Sequence, residues 1–138
     1  MTRARQTRVH LGPLERAVMD RLWIRPGAAD VASVHADVGA PRALTRNTIH
    51  STLERLVRKG LVTRRRVGRA YEYEVTVTRA AWIGEVLDSV VTALGSADPD
   101  EVLAGFVDFV ERSDGSTLDE LEAMVRARLR AREGTGEE

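Results

Sequence analysis

The stretch from Leu44 to Val75, LTRNTIHSTLERLVRKGLVTRRRVGRAYEYEV, joins a capped basic helix directly to an arginine-laced pair of strands. Thr45 is a suitable N-cap, Ile49, Leu53, Leu56 and Val57 recur as one buried helical stripe, and Gly60 stands where a C-terminal cap belongs. The opposite face carries Arg46, Asn47, His50, Ser51, Glu54, Arg55 and Arg58. After Gly60, Leu61 to Val67 and Arg69 to Val75 read as strands around Gly68, the second alternating Tyr71, Tyr73 and Val75 with Glu72 and Glu74. A helix followed at once by such a hairpin is the second half of a winged helix-turn-helix.

The residues upstream supply the first half. Leu14, Val18 and Leu22, widened by Met19 and Trp23, predict a helix from Pro13 to about Ile24, with Pro13 in a first turn that tolerates its missing N–H. Arg25-Pro26-Gly27 stops it. Asp30 can cap a second helix with apolar positions Val31, Val34 and Val38, which Gly39 and Pro41 are expected to end.

Charge divides the chain in the same sense. Met1 to Ala80 holds 16 Lys+Arg against 7 Asp+Glu (+9), and Ala81 to Glu138 holds 5 against 14 (−9), so a neutral total hides a basic half joined to an acidic one. The basic half points to a polyanion partner. With 138 residues the chain can form one modest domain or two small ones, each with a marginal core that oligomerisation would relieve. The absence of cysteine excludes a disulfide framework and any thiolate metal site. The start, MTRARQTRV, has no apolar run after its arginines, and no segment approaches the ~18 apolar residues of a membrane span, so a cytoplasmic protein without membrane insertion is expected.

From Thr78 the pattern becomes purely helical. Trp82, Val86, Val90 and Leu94 form one stripe and Ile83, Leu87 and Val91 its neighbour, more apolar surface than one small domain can cover. Asp98-Pro99-Asp100-Glu101 opens a helix carrying Val102, Phe106, Phe109 and Val110, extended by Leu103 and Val107. Thr117 with Glu120 reads as a capping box for a last helix with Leu118, Leu121, Val125 and Leu129. The architecture expected is mainly α with a small β-hairpin wing.

The chemistry on offer is recognition. Side chains near the N-terminus of a helix in the major groove reach base edges. Arg46, Asn47, Thr48, His50 and Ser51 occupy that end, with Arg55 a turn further on; Asn suits adenine, Arg suits guanine, and a Thr methyl can pack on thymine. On the strands Arg64 and Arg66 share a face while Arg65 points to the other, and Arg69 follows the Gly68 turn; Arg65, Arg66 and Arg69 are the expected wing contacts. Arg3, Arg5 and Arg8 are expected to form a basic arm. His10, His35 and His50 are too scattered for a metal site, and no Gly-rich phosphate loop, nucleophile elbow or HExxH motif is present, so neither metal, cofactor nor enzymatic activity is expected.

Three segments together resemble a known family. His10-LGPLERAVMDRL-Trp23, Thr48-IHSTLERLVRKGL-Val62 and Tyr71-Glu-Tyr73 are similar in order and spacing to the BlaI/MecI bacterial repressors, over about the first 80 residues in motif and over the remainder in helix pattern. The resemblance implies a homodimer whose N-terminal winged helices bind double-stranded operator DNA with a palindromic sequence and whose C-terminal helices intertwine. It also implies a membrane sensor-protease partner, since in β-lactam-responsive members such a system triggers cleavage at an Asn-Phe bond. The matching position here is Asp108-Phe109, with Asp in place of Asn. Copper-responsive relatives carry C-terminal cysteine pairs that this chain lacks.

The expected organisation is therefore residues 1–77 as a winged helix-turn-helix DNA-binding domain with its basic arm, 78–132 as a three-helix dimerisation domain, and 133–138 as a disordered tail. Trp82, Ile83, Val86, Leu87, Val90, Leu103, Phe106, Phe109, Leu121 and Val125 are the expected dimer contacts. The function expected is a promoter-occluding transcriptional repressor released when that dimer is disrupted. Two alternatives stay open: a regulator that senses a small molecule between its C-terminal helices, and a winged-helix interaction module that meets an acidic protein instead of DNA.

Overall fold

The computed structural model describes residues 8–136. Arg3 and Arg5 of the expected arm lie outside them. The chain packs as two compact units that meet between Ala93 and Leu94.

The first unit opens with α1 (Pro13–Ile24), as the sequence predicts. Glu15 turns back to accept a hydrogen bond from the Gly12 N–H at 3.2 Å, which steadies the helix start. Asp30 caps α2 (Val31–Val34), accepting from the Ser33 N–H at 2.8 Å. This helix departs from expectation at its far end. It widens into a π turn over His35–Gly39 and tightens into a 3-10 turn over Ala40–Arg42, so Gly39 and Pro41 lie inside the turns they were expected to end. Gly39 is there because the backbone passes close to the next helix: an added Cβ would stand 2.6 Å from His35 Cδ2 and 2.8 Å from Ile49 Cγ1.

Thr45 then caps α3 (Arg46–Arg58), accepting from the Thr48 N–H at 3.2 Å. Gly60, at φ 76°, closes it while the Leu61 N–H donates to the Leu56 carbonyl at 3.1 Å. The hairpin follows as β2 (Val62–Val67) and β3 (Ala70–Val75), joined by Gly68 and Arg69, with Gly68 at φ 63° as a two-residue turn requires. Arg69, expected on the strand, belongs to the turn. A third strand, β1 (Ala29–Asp30), was not foreseen: Ala29 pairs with Tyr73 and Asp30 with Glu72, giving the antiparallel order β1-β3-β2. Two residues carry no periodicity, and only β3's free edge makes them a strand.

The core forms where α1, α2, α3 and the sheet converge, with Met19, Leu22, Val34, Ile49, Leu53 and Tyr73 fully or almost fully buried. Thr52 is buried among them and remains satisfied, donating to the Thr48 carbonyl at 2.9 Å and accepting from Arg55 at 3.1 Å.

Helix α4 (Arg79–Ala93) packs in this first unit, so the compact unit extends past residue 77, where the sequence placed the start of the dimerisation region. Trp82 is 5% exposed and joins the core, and Val86 packs half-buried against it. Both face their own chain, whereas they were expected at a dimer interface. The periodicity of 82, 86 and 90 shows one apolar stripe but does not say what covers each part of it. Arg8 is likewise no arm: it pairs with Glu85 at 3.3 Å, and its carbonyl accepts the Trp82 indole N–H at 2.9 Å.

The second unit contains α5 (Pro99–Ser113) and α6 (Thr117–Thr135). Asp98 caps α5 through the Asp100 N–H at 2.9 Å. Two expectations fail in α6. Its N-cap is Ser116, not Thr117, and makes no side-chain cap; and the helix runs through Glu133 to Thr135, where a tail was expected. The Thr135 hydroxyl donates to the Ala131 carbonyl at 2.8 Å within that last turn. Among the described residues no helix is long and apolar enough to cross a membrane.

Candidate nucleic-acid interface

The helix-turn-helix is held by four polar contacts around one turn. His35 Nε2 lies 2.7 Å from the Leu44 carbonyl, just before the Thr45 cap, and Arg42 donates to the Val38 carbonyl at 2.9 Å. Between them Ala43 takes the left-handed conformation, φ 55°, which lets the chain reverse within the residues separating the 3-10 turn from α3. On the other side Asp37 accepts from Arg21 at 2.6 Å and Arg25 at 3.1 Å, tying α1 to the π turn. The start of α3 is therefore held by packing at Gly39 and by hydrogen bonds at Leu44.

The outer face of α3 offers the groups expected of it. Arg46, Asn47, Ser51, Arg55 and Arg58 are exposed and His50 half-exposed. Thr48 is half-buried, its hydroxyl 3.1 Å from that of Thr45, so the cap engages it more than the open face does. Arg55 is partly committed, donating to Thr52. Among the described residues Arg46, Asn47, Ser51 and Arg58 have no polar partner and are free to meet a ligand.

On the hairpin, register decides which arginines can work together. Arg64 stands opposite Tyr73, Arg65 opposite Glu72 and Arg66 opposite Tyr71. Tyr73 is buried, so its face of the sheet turns towards the core, and Arg64 follows it. Arg65 is on the other face, with Glu72 at 3.5 Å. Arg66 folds back to the Gly68 carbonyl at 3.3 Å, and Arg69, exposed at the turn, has no partner among the described residues. The three expected wing residues thus do not form one surface: Arg66 and Arg69 gather at the tip, and Arg65 faces away.

Sequence reasoning passed over the residue that joins helix to wing. Glu54 of α3 accepts from the Tyr73 hydroxyl at 2.7 Å and from Arg64 at 2.5 Å, with His50 Nε2 at 3.7 Å one turn earlier. Arg64 also covers the Tyr71 ring at 4.7 Å. Burial works to raise the Glu54 pKa, but hydrogen bonds from Tyr73 and Arg64 and the Arg64 charge outweigh it and hold the carboxyl below its ordinary value. Burial, and then the Glu54 carboxylate, push the Tyr73 phenol well above its ordinary value. The signal available in the sequence was an acidic residue on an otherwise basic helix face.

Among the described residues no cluster of His, Cys, Asp or Glu could hold a metal ion. What remains is an exposed helix end and a basic wing tip about a rigid turn, an arrangement suited to a duplex groove and its phosphates.

The penicillinase repressor family model matches residues 11–127. The transcriptional regulator BlaI of Mycobacterium tuberculosis, in strains CDC 1551 / Oshkosh and ATCC 25618 / H37Rv, is 38% identical over 127 residues, covering 91% of this chain and 88% of that protein. The solution structure of the DNA binding domain of the repressor BlaI aligns with 52% of this chain and 87% of its own, at 21% identity and a TM-score of 0.47. With a winged-helix fold and a family match across most of its length, the chain belongs to the penicillinase repressor family of transcriptional regulators, which are not enzymes.

Proposed function

We propose that the chain is a cytoplasmic homodimeric repressor that occludes a promoter by binding a palindromic operator through α3 and the wing tip. The observation that carries this reading is the set of exposed side chains with no polar partner among the described residues, Arg46, Asn47 and Ser51 at the start of α3 and Arg69 at the wing. Free arginines beside a helix N-terminus favour phosphate, and the adjoining amide and hydroxyl suit base edges. In a two-fold dimer the paired α3 helices would stand about 34–36 Å apart, one duplex turn.

Support for the dimer comes from apolar residues that the single chain leaves open. Leu94 is 60% exposed, Leu103 62%, Phe109 59% and Met124 68%. Large apolar side chains left this exposed are suited to burial against a partner. One bound half-site raises the local concentration of the other head, an advantage worth roughly 10² or more that loss of the dimer would remove. Cleavage at Asp108-Phe109 by a membrane sensor-protease system would remove it irreversibly; that bond lies within α5, so cutting it requires the helix to open locally.

Fluorescence anisotropy with duplex DNA from upstream of the chain's own gene and with a scrambled duplex, each at two salt concentrations, tests the reading. A preference of ~10³ or more that survives higher salt is expected. Equal weak binding lost with salt would count against it.

A further inference from the structure

The reading of α3 and the wing as the DNA-contacting elements leaves Glu54 unexplained. A carboxylate on that face should repel phosphate. Its two oxygens are instead committed to the wing: Oε1 accepts from Tyr73 on β3, and Oε2 accepts from Arg64 on β2. Tyr73 is fully buried, so the first bond anchors the α3 side chain to the core of the sheet. Arg64 has one guanidinium nitrogen on the carboxylate and its guanidinium carbon over the Tyr71 ring, so the group is engaged at an edge and across a face. Arg64 and Arg66 lie on the same face of β2, and only Arg64 has an acidic partner.

We propose that Glu54 is a positioning residue for DNA recognition: it locks the wing to the reading helix and withholds Arg64 from the phosphate backbone. The advantage is selectivity. A free arginine between helix and wing would add a phosphate contact on any duplex, and such contacts strengthen binding without regard to sequence. Held by Glu54, Arg64 is neutralised, and the carboxylate is neutralised with it. Discrimination then rests on the open groups at the start of α3.

The proposal rests on the DNA-binding reading above, and the full-length chain tests both. Glu54→Gln retains an acceptor for Tyr73 and removes the charge that holds Arg64. With the upstream and scrambled duplexes, Glu54→Gln should steepen the dependence of log K on log salt by on the order of 0.9, one added phosphate. That corresponds to a roughly threefold greater loss of affinity between about 50 and 200 mM salt. Binding to the scrambled duplex should rise and the preference ratio fall. Glu54→Gln/Arg64→Ala should restore the wild-type slope. Tyr73→Phe should melt earlier yet keep the wild-type slope, because it removes a hydrogen bond and leaves Arg64 on Glu54.

A wild-type slope and ratio in Glu54→Gln would overturn the proposal, as would a steeper slope that persists in the double variant or appears equally in Tyr73→Phe. Wild-type protein that shows no preference between the duplexes would remove the DNA reading itself and this proposal with it.

Discussion

Trp82 of α4 packs on Trp23 of α1 with ring centroids 5.5 Å apart and planes inclined at 44°. Each indole N–H is satisfied by a backbone carbonyl, Trp23 donating to Val77 and Trp82 to Arg8, both at 2.9 Å. Arg79 lies over Trp23 and Arg16 over Trp82, and Arg79 and Arg16 both reach Asp20. This pair fastens α4 to the winged helix, so α4 belongs to the first unit up to its limit at Ala93.

Trp82→Ala should therefore destabilise the first unit by about 3–5 kcal/mol, the usual cost of emptying a large aromatic site. Urea unfolding followed by circular dichroism checks it. A loss near zero would mean that α4 docks without Trp82.

Gly39→Ala should cost about 1–3 kcal/mol, because the new methyl meets Ile49 and His35 at distances the packed turn cannot accept. Backbone strain is not the cause, since φ is −77°. As Ile49 is the first buried residue of α3, operator affinity should fall with stability. Thermal melts and anisotropy on the same preparation check both effects.

Arg66→Ala and Arg69→Ala should weaken binding to every duplex similarly and flatten its salt dependence. Asn47→Ala or Ser51→Ala should instead change the preference among operator variants by about 1–3 kcal/mol where the side chain meets a base. Competition anisotropy over a panel of variant duplexes separates the two behaviours. Arg65→Ala should have the smallest effect of the wing set, because that side chain points to the other face and sits beside Glu72.

Leu87→Asp and Phe106→Asp should give folded monomers, since these residues are 48% and 39% exposed on the single chain and a charge there is buried only by a partner. Sedimentation equilibrium with circular dichroism checks the outcome; a folded dimer would exclude those positions from the interface. Val110→Asp differs, because Val110 is buried within the chain, and it should lose helix content as well.

The Glu54–Tyr73 bond also predicts behaviour at both ends of the pH scale. Glu54 has a folded pKa below its unfolded one, so its stabilising contribution is present above the unfolded value and disappears as pH falls through the folded one. Tyr73 has a folded pKa above its unfolded value of about 10, so its contribution is intact below that and is lost as pH rises beyond it. Melting temperatures should fall less in acid for Glu54→Gln, and less above about pH 10 for Tyr73→Phe, than for wild type.

What could be read from the residues alone was whatever local chemistry decides. Pro13, Asp30, Thr45, Gly60 and Asp98 mark helix ends because capping is settled within three or four residues, and each stands where its helix begins or closes. Period 3.6 in α3 and period 2 in β3 identified the faces, and the order of elements with the basic half identified the winged helix. Ser116 shows the limit of that local code: Thr117 and Glu120 match a capping box, yet the helix starts one residue earlier without a side-chain cap. Tertiary structure decided what each face meets. Ala29 and Asp30 became a strand because β3 had an open edge, Gly39 is a glycine because Ile49 and His35 leave no room for a side chain, and Trp82 turned to Trp23. Arg64 differs from Arg66 for the same reason. Both are arginines on one face of one strand, and only the distance across to Glu54, set by how α3 packs on the sheet, separates a side chain paired with a carboxylate from one that meets only the Gly68 carbonyl.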